Sequence, residues 1–111
     1  MKLLILEDNQ EIAHKMKILL KHEGHTVIHR LDGVKGIMTA KYDDFDCIVT
    51  DYDMPRMNGI EFVNKFRELD DTTKIIFFTS DIYIDNLLTR QMKIHAVIYK
   101  DIQELIELLR K

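Results

Sequence analysis

The chain has 111 residues, 46% of them hydrophobic and 32% charged, which is the length and make-up of one water-soluble globular domain. Lys and Arg number 16 against 19 Asp and Glu, and the resulting net charge of −3 excludes an electrostatic case for direct nucleic acid or anionic membrane binding. A single cysteine, Cys47, excludes an intrachain disulfide. No apolar run is long enough to span a bilayer, and the amino terminus enters a strand pattern directly rather than a signal peptide, so a cytoplasmic location is expected.

The first apolar run, Leu3-Leu4-Ile5-Leu6, reads as a strand and ends in the adjacent carboxylates Glu7 and Asp8. Asn9 is placed to cap a helix over about residues 10–23, in which Ile12, Met16, Leu19 and Leu20 recur at helical spacing and Gly24 supplies the stop. Thr26-Val27-Ile28-His29 gives a second short strand, and Val34, Ile37 and Met38 a weaker helix after Gly33. The third strand, Ile48-Val49-Thr50, ends abruptly in Asp51, followed by a turn containing Pro55. Beyond Gly59, a helical pattern of Phe62, Val63, Phe66 and Leu69 runs up to the cluster Asp70-Asp71-Thr72-Thr73.

Ile75-Ile76-Phe77-Phe78 is a fourth strand ending in Thr79-Ser80, and Ile84, Leu87 and Leu88 suggest a fourth helix fading toward Lys93. Ala96-Val97-Ile98-Tyr99 is a fifth strand ending in Lys100, and Ile102, Leu105, Ile106 and Leu109 form a fifth helix. Strands alternating with helices indicate an α/β protein with a parallel sheet. Right-handed crossovers then favour a flavodoxin-like, three-layer, doubly wound five-stranded sheet in the order 2-1-3-4-5, with residues 1–111 as one compact domain.

In that order the first and third strands are neighbours, so Glu7, Asp8 and Asp51 meet at the switch point where open α/β sheets bind ligands. Crowded carboxylates repel one another unless a cation joins them, and hard oxygen donors without histidine favour Mg²⁺. Asp51 is the candidate nucleophile, Lys100 the candidate counter-charge and Thr79 a hydroxyl donor. Other roles stay open from the residues alone. Glu7 and Asp8 could cap the first helix, Lys100 could be a solvated strand-end charge, and Thr79 with Ser80 could be a helix cap.

The histidines His22, His25 and His29 lack partners at zinc-site spacing and are expected to be exposed. Methionines at apolar-periodic positions read as core filler, Pro55 as a shaper of the turn, and Cys47 as a packed small side chain.

The pair Glu7-Asp8, the segment Asp51-x-x-Met54-Pro55-x-Met57-x-Gly59, Thr79 and Lys100, in order and each at a strand end, resemble the receiver domain of bacterial two-component response regulators. The resemblance covers essentially the whole chain. It implies that Asp51 is the phospho-acceptor, that Glu7, Asp8, Asp51 and the backbone carbonyl of Asp53 hold Mg²⁺, and that Lys100 and Thr79 contact the transferred group. It also implies that the protein acts only on itself, accepting the group from a sensor histidine kinase or a histidine phosphotransfer protein. Its output would pass to a downstream effector or output domain, or to a homodimer, through the surface of the fourth helix, fifth strand and fifth helix.

Four positions depart from the family pattern. Val97 stands where the switch aromatic is usual, with Tyr99 two residues on facing the same side. Lys93-Ile94 replaces Gly-Ala, and Asp101 replaces the proline that normally carries a cis bond, leaving the isomer of the Lys100-Asp101 peptide open. Two further readings compete: a degenerate receiver that docks or dimerises without phosphorylation, and a phosphatase of the haloacid dehalogenase type using Asp51 and Asp53.

Overall fold

The computed structural model describes residues 1–111 and contains one sheet of five parallel strands in the order 2-1-3-4-5. The strands are β1 (Lys2–Leu6), β2 (Thr26–Arg30), β3 (Cys47–Thr50), β4 (Lys74–Phe78) and β5 (Ala96–Ile98). Four α-helices connect or follow them: α1 (Gln10–His22), α2 (Gly33–Tyr42), α3 (Gly59–Leu69) and α4 (Ile102–Arg110). The central strands are apolar on both faces, as a sheet covered on both sides requires.

Alternation along β1 sends Leu3 and Ile5 to one face and Leu4 and Leu6 to the other. Leu3 and Ile5 join Met16 and Leu20 of α1 and Leu105, Ile106 and Leu109 of α4 in one core. Leu4 and Leu6 join Ile37 of α2 and Phe62, Val63 and Phe66 of α3 in the second. Cys47 is fully buried and its thiol is pushed up to about 12 by burial, so it is a packing group and not a reactive one.

Capping fixes where the helices begin. Asn9 Oδ1 accepts from Ile12 N at the start of α1, Asp32 caps α2 through Lys35 N, and Asn58 and Glu61 form a reciprocal capping box on α3. Gly24, with φ of +95°, follows the end of α1 in the left-handed conformation that glycine takes most readily.

The expected fourth helix is absent. Residues between β4 and β5 form two short 3₁₀ turns, Ile84–Leu87 and Arg90–Met92, separated by an extended Leu88 and Thr89. Ile82, Tyr83, Ile84, Asp85, Asn86 and Thr89 are poor helix formers, and the Asp81 carboxylate draws Tyr83 N into a local turn. The Arg67 guanidinium on α3 donates to the carbonyls of Met92 at 2.7 Å and Lys93 at 2.9 Å, tying the end of the segment to α3. Ile84 and Met92 are still buried, so the apolar periodicity marks the face correctly although no continuous helix forms.

Candidate functional site

Parallel register determines which groups meet. Leu6 of β1 pairs with Thr50 of β3, so Glu7 and Asp51 follow at the same carboxyl edge, where Asp51 N donates to the Leu6 carbonyl at 3.0 Å. Glu7, Asp8 and Asp51 bring one carboxylate oxygen each within 4.8 Å of one another. Glu7 is 2% exposed and Asp51 8%, whereas Asp8 is exposed.

Lys100, just beyond β5, reaches into the cluster. Its Nζ donates to Asp51 Oδ2 at 3.0 Å and to Glu7 Oε1, and lies 5.3 Å from the Phe78 ring centroid. Asp51 Oδ1 accepts from Tyr52 N at 2.7 Å, and Glu7 Oε2 from Asn9 N at 3.1 Å. Burial pushes the Glu7 carboxyl above its ordinary value; the bond and charge of Lys100 and the Asn9 N–H oppose this without cancelling it, and the neighbouring Asp51 adds to the rise. One ammonium thus serves two buried carboxylates.

Lys100 adopts a left-handed φ of +56°, which costs a non-glycine residue on the order of 1 kcal/mol. The chain has no cis peptide, so the Lys100-Asp101 bond is trans. Asp101 has work of its own in place of proline, since its carboxylate accepts from Glu104 N at 3.0 Å and caps α4.

The open crevice at this edge has a volume of about 300 Å³ and is lined by Glu7, Asp8, Asn9, Asp51, Asp53, Ser80 and Lys100, among others. Asp53 is exposed in it. Thr79 does not line it; the residue is 1% exposed and its hydroxyl accepts from Asp81 N at 3.2 Å. Because a hydroxyl both accepts and donates, its proton is still available to another oxygen.

Val97 is half-buried against the core on the α3 side of the sheet. Tyr99 lies past the end of β5, 45% exposed, with its hydroxyl 3.3 Å from Asp85 Oδ2 in the first 3₁₀ turn.

Three features of the site were not foreseen. A Cβ on Gly59 would come within 2.2 Å of the Asp51 carbonyl oxygen and 3.0 Å of Tyr52 Cα, so only glycine lets α3 start this close to the acidic strand end. Arg56, in the turn shaped by Pro55, has φ of +68°, and Met57 N donates to the Pro55 carbonyl at 2.8 Å.

His29 corrects the expectation of exposed histidines. It is half-buried and its Nε2 lies 2.7 Å from the Glu7 carbonyl oxygen, which can only accept, so Nε2 carries the proton. The pairing of β1 with β2 carries the signal for this contact, since it sets His29 beside Ile5, two residues before Glu7. Of the other histidines named above, His22 is exposed and His25 half-buried, with Nδ1 3.2 Å from the amino-terminal nitrogen. The methionines divide likewise: Met16, Met54 and Met92 are buried, while Met38 is 60% exposed.

Three oxygen donors from two adjacent strands, with no nitrogen or sulfur ligand among them, suit a hard divalent cation. The model of the response regulator receiver domain family matches residues 3–110. This chain belongs to that family.

The receiver is similar to the response regulator ArlR of Staphylococcus aureus, at 31% identity over 111 residues, which covers 98% of this chain and 51% of that protein. It is also similar to ArlR of Staphylococcus saprophyticus, at 37% identity over 84 residues, covering 74% of this chain and 38% of that protein. The receiver therefore spans about half, or less, of the length of these relatives.

Its fold matches that of TrrA from Thermotoga maritima, solved in complex with Mg²⁺ and BeF, with a TM-score of 0.91 at 22% identity over 98% of this chain and 96% of the other. It likewise matches CheY4 of Vibrio cholerae, with a TM-score of 0.88 at 24% identity over 98% and 95% of the two chains. No helix of the receiver is long and apolar enough to cross a membrane.

Proposed function

We propose that Asp51 takes a phosphoryl group from a sensor histidine kinase or a histidine phosphotransfer protein in a Mg²⁺-dependent step, and that the receiver acts on no other substrate. The observation that carries this reading is the convergence of Glu7, Asp8 and Asp51 around the Lys100 ammonium. Glu7, Asp8, Asp51 and the Asp53 backbone carbonyl would hold the metal. Bound there, Mg²⁺ supplies charge neutralisation for the transferred oxygens.

An Asp51 carboxylate oxygen attacks phosphorus while the P–N bond to the donor imidazole breaks, and the imidazole takes a proton from solvent as it leaves. Tyr52 N–H fixes the Asp51 carboxylate in orientation. Lys100 turns its ammonium from the carboxylate toward the phosphoryl oxygens, and Thr79 redirects its hydroxyl proton to one of them. Only the modified state makes the Thr79 bond, so that bond biases the conformational equilibrium.

The surface that reads this change would be built from the 3₁₀ turns, β5 and α4, and would face an effector, an output domain or a second copy in the cytoplasm. Incubation with Mg²⁺ and acetyl phosphate or phosphoramidate should add one phosphoryl mass to the intact protein and none to Asp51→Asn. An unchanged wild-type mass, or equal labelling of the variant, would defeat the reading.

Val97 and the broken helix before β5 favour a second reading, in which the chain docks to its partner whatever the state of Asp51. Partner binding unaffected by Asp51→Ala is its mark. The phosphatase alternative gains no support, because Asp51 follows the third strand of a receiver sheet and not the first.

A further inference from the structure

A second concavity lies at the opposite end of the sheet. The segments 43–46 and 70–73 lead into β3 and β4, so they sit at the amino-terminal edge, separated from Asp51 by the length of β3, roughly 13 Å. Between α2 and α3 they border a groove of about 470 Å³. Its apolar lining is Ala40, Phe45, Phe66 and Leu69.

Leu69 is 53% exposed, so an aliphatic side chain of the groove's lining stands uncovered. Its polar lining is dominated by Asp43, Asp44 and Asp70, with Lys41 the one cation and Thr73 neutral. Asp43 is already paired with Lys2. Asp44 has no ion-pair partner, and the N–H groups of Thr72 and Thr73 hold Asp70 at about 2, so it is ionised at neutral pH.

An apolar floor with a net negative rim matches a segment that is apolar at its centre and basic at its ends. We propose that this groove docks a cationic segment of another protein, through an aliphatic or aromatic anchor flanked by lysine or arginine, and does so whether or not Asp51 is phosphorylated. The anchor enters between Phe45 and Leu69 while the flanking cations meet Asp44 and Asp70. A partner held there leaves the crevice of Asp51 open to the phosphoryl donor. The inference goes beyond the phospho-acceptor reading and stands or falls apart from it.

The test uses the isotope-labelled chain and two synthetic peptides, one with a Phe-Leu centre flanked by lysine and arginine, the other with the same centre flanked by glutamate. Saturable amide shifts at 40–45 and 69–73 are expected with the basic peptide alone, weakening at high salt and unchanged by Mg²⁺ with beryllofluoride. Leu69→Glu and Asp44→Lys change exposed side chains that the fold does not need, and each should weaken binding by about tenfold or more.

Shifts centred instead on Glu7, Asp8 and Asp51 would overturn the proposal by showing generic attraction to carboxylates. Equal binding of both peptides would overturn it as well. So would concentration-dependent shifts of the groove amides in the free protein, which would make the occupant a second copy of this chain.

Discussion

Gly59 shows how much one missing methyl group can matter. Its N–H donates to the Tyr52 carbonyl at 2.8 Å, and the space a Cβ would need is held by the Asp51 backbone and Phe77. Gly59→Ala should therefore destabilise the fold by about 1–3 kcal/mol, as overpacking does, and slow phosphorylation by displacing Asp51. Chemical denaturation and the labelling rate check the two effects separately. The sequence marks Gly59 as a helix opener, but its contact with Asp51 depends on how closely α3 approaches β3, which no local pattern encodes. Glu7, Asp8, Asp51 and Lys100 are legible because each ends a strand and the strand order brings the ends together. Thr79 is legible as a strand-end hydroxyl, whereas its burial and its bond to Asp81 depend on how the next turn folds.

At the scale of elements, the strands and the helices α1, α3 and α4 are readable from apolar periodicity, helped at α1 by the cap at Asn9 and the stop at Gly24. The segment before β5 is the exception. There the apolar spacing points to a helix while Asp85, Asn86 and Thr89 oppose one, and the deciding contacts come from Arg67, a residue on another element.

The turn between α3 and β4 is a simpler case, in which one side chain organises the backbone: Asp70 accepts from the N–H groups of Thr72 and Thr73 and from both hydroxyls. Its folded-state value of about 2 lies below the ordinary 3.8, so its contribution is complete above 3.8 and is lost as pH falls through about 2. Asp70→Ala should cost about 1 kcal/mol at neutral pH, because solvent screening at this largely exposed turn reduces what the hydrogen bonds contribute, with the deficit closing as the solution is acidified. Urea titrations at several pH values measure it.

For the molecule as a whole, the magnesium site proposed above would couple stability to metal. An ion at about ten times its dissociation constant stabilises the native state by about 1.4 kcal/mol, which for a domain of this size is a rise of roughly 5 °C in Tm. Thermal melts should show such a rise with Mg²⁺, and little of it in Asp8→Asn. The rise should also shrink as pH falls through the elevated Glu7 value, because a protonated carboxyl is a poor ligand.

The bridge from Lys100 to Glu7 and Asp51 has a further result. With a tethered cation seated among them from the moment of folding, the acidic side chains can be assembled in a metal-starved solution. That same cation would be a resident competitor for the magnesium proposed above, which every incoming ion would have to evict, so occupancy would follow the surrounding supply and remain reversible.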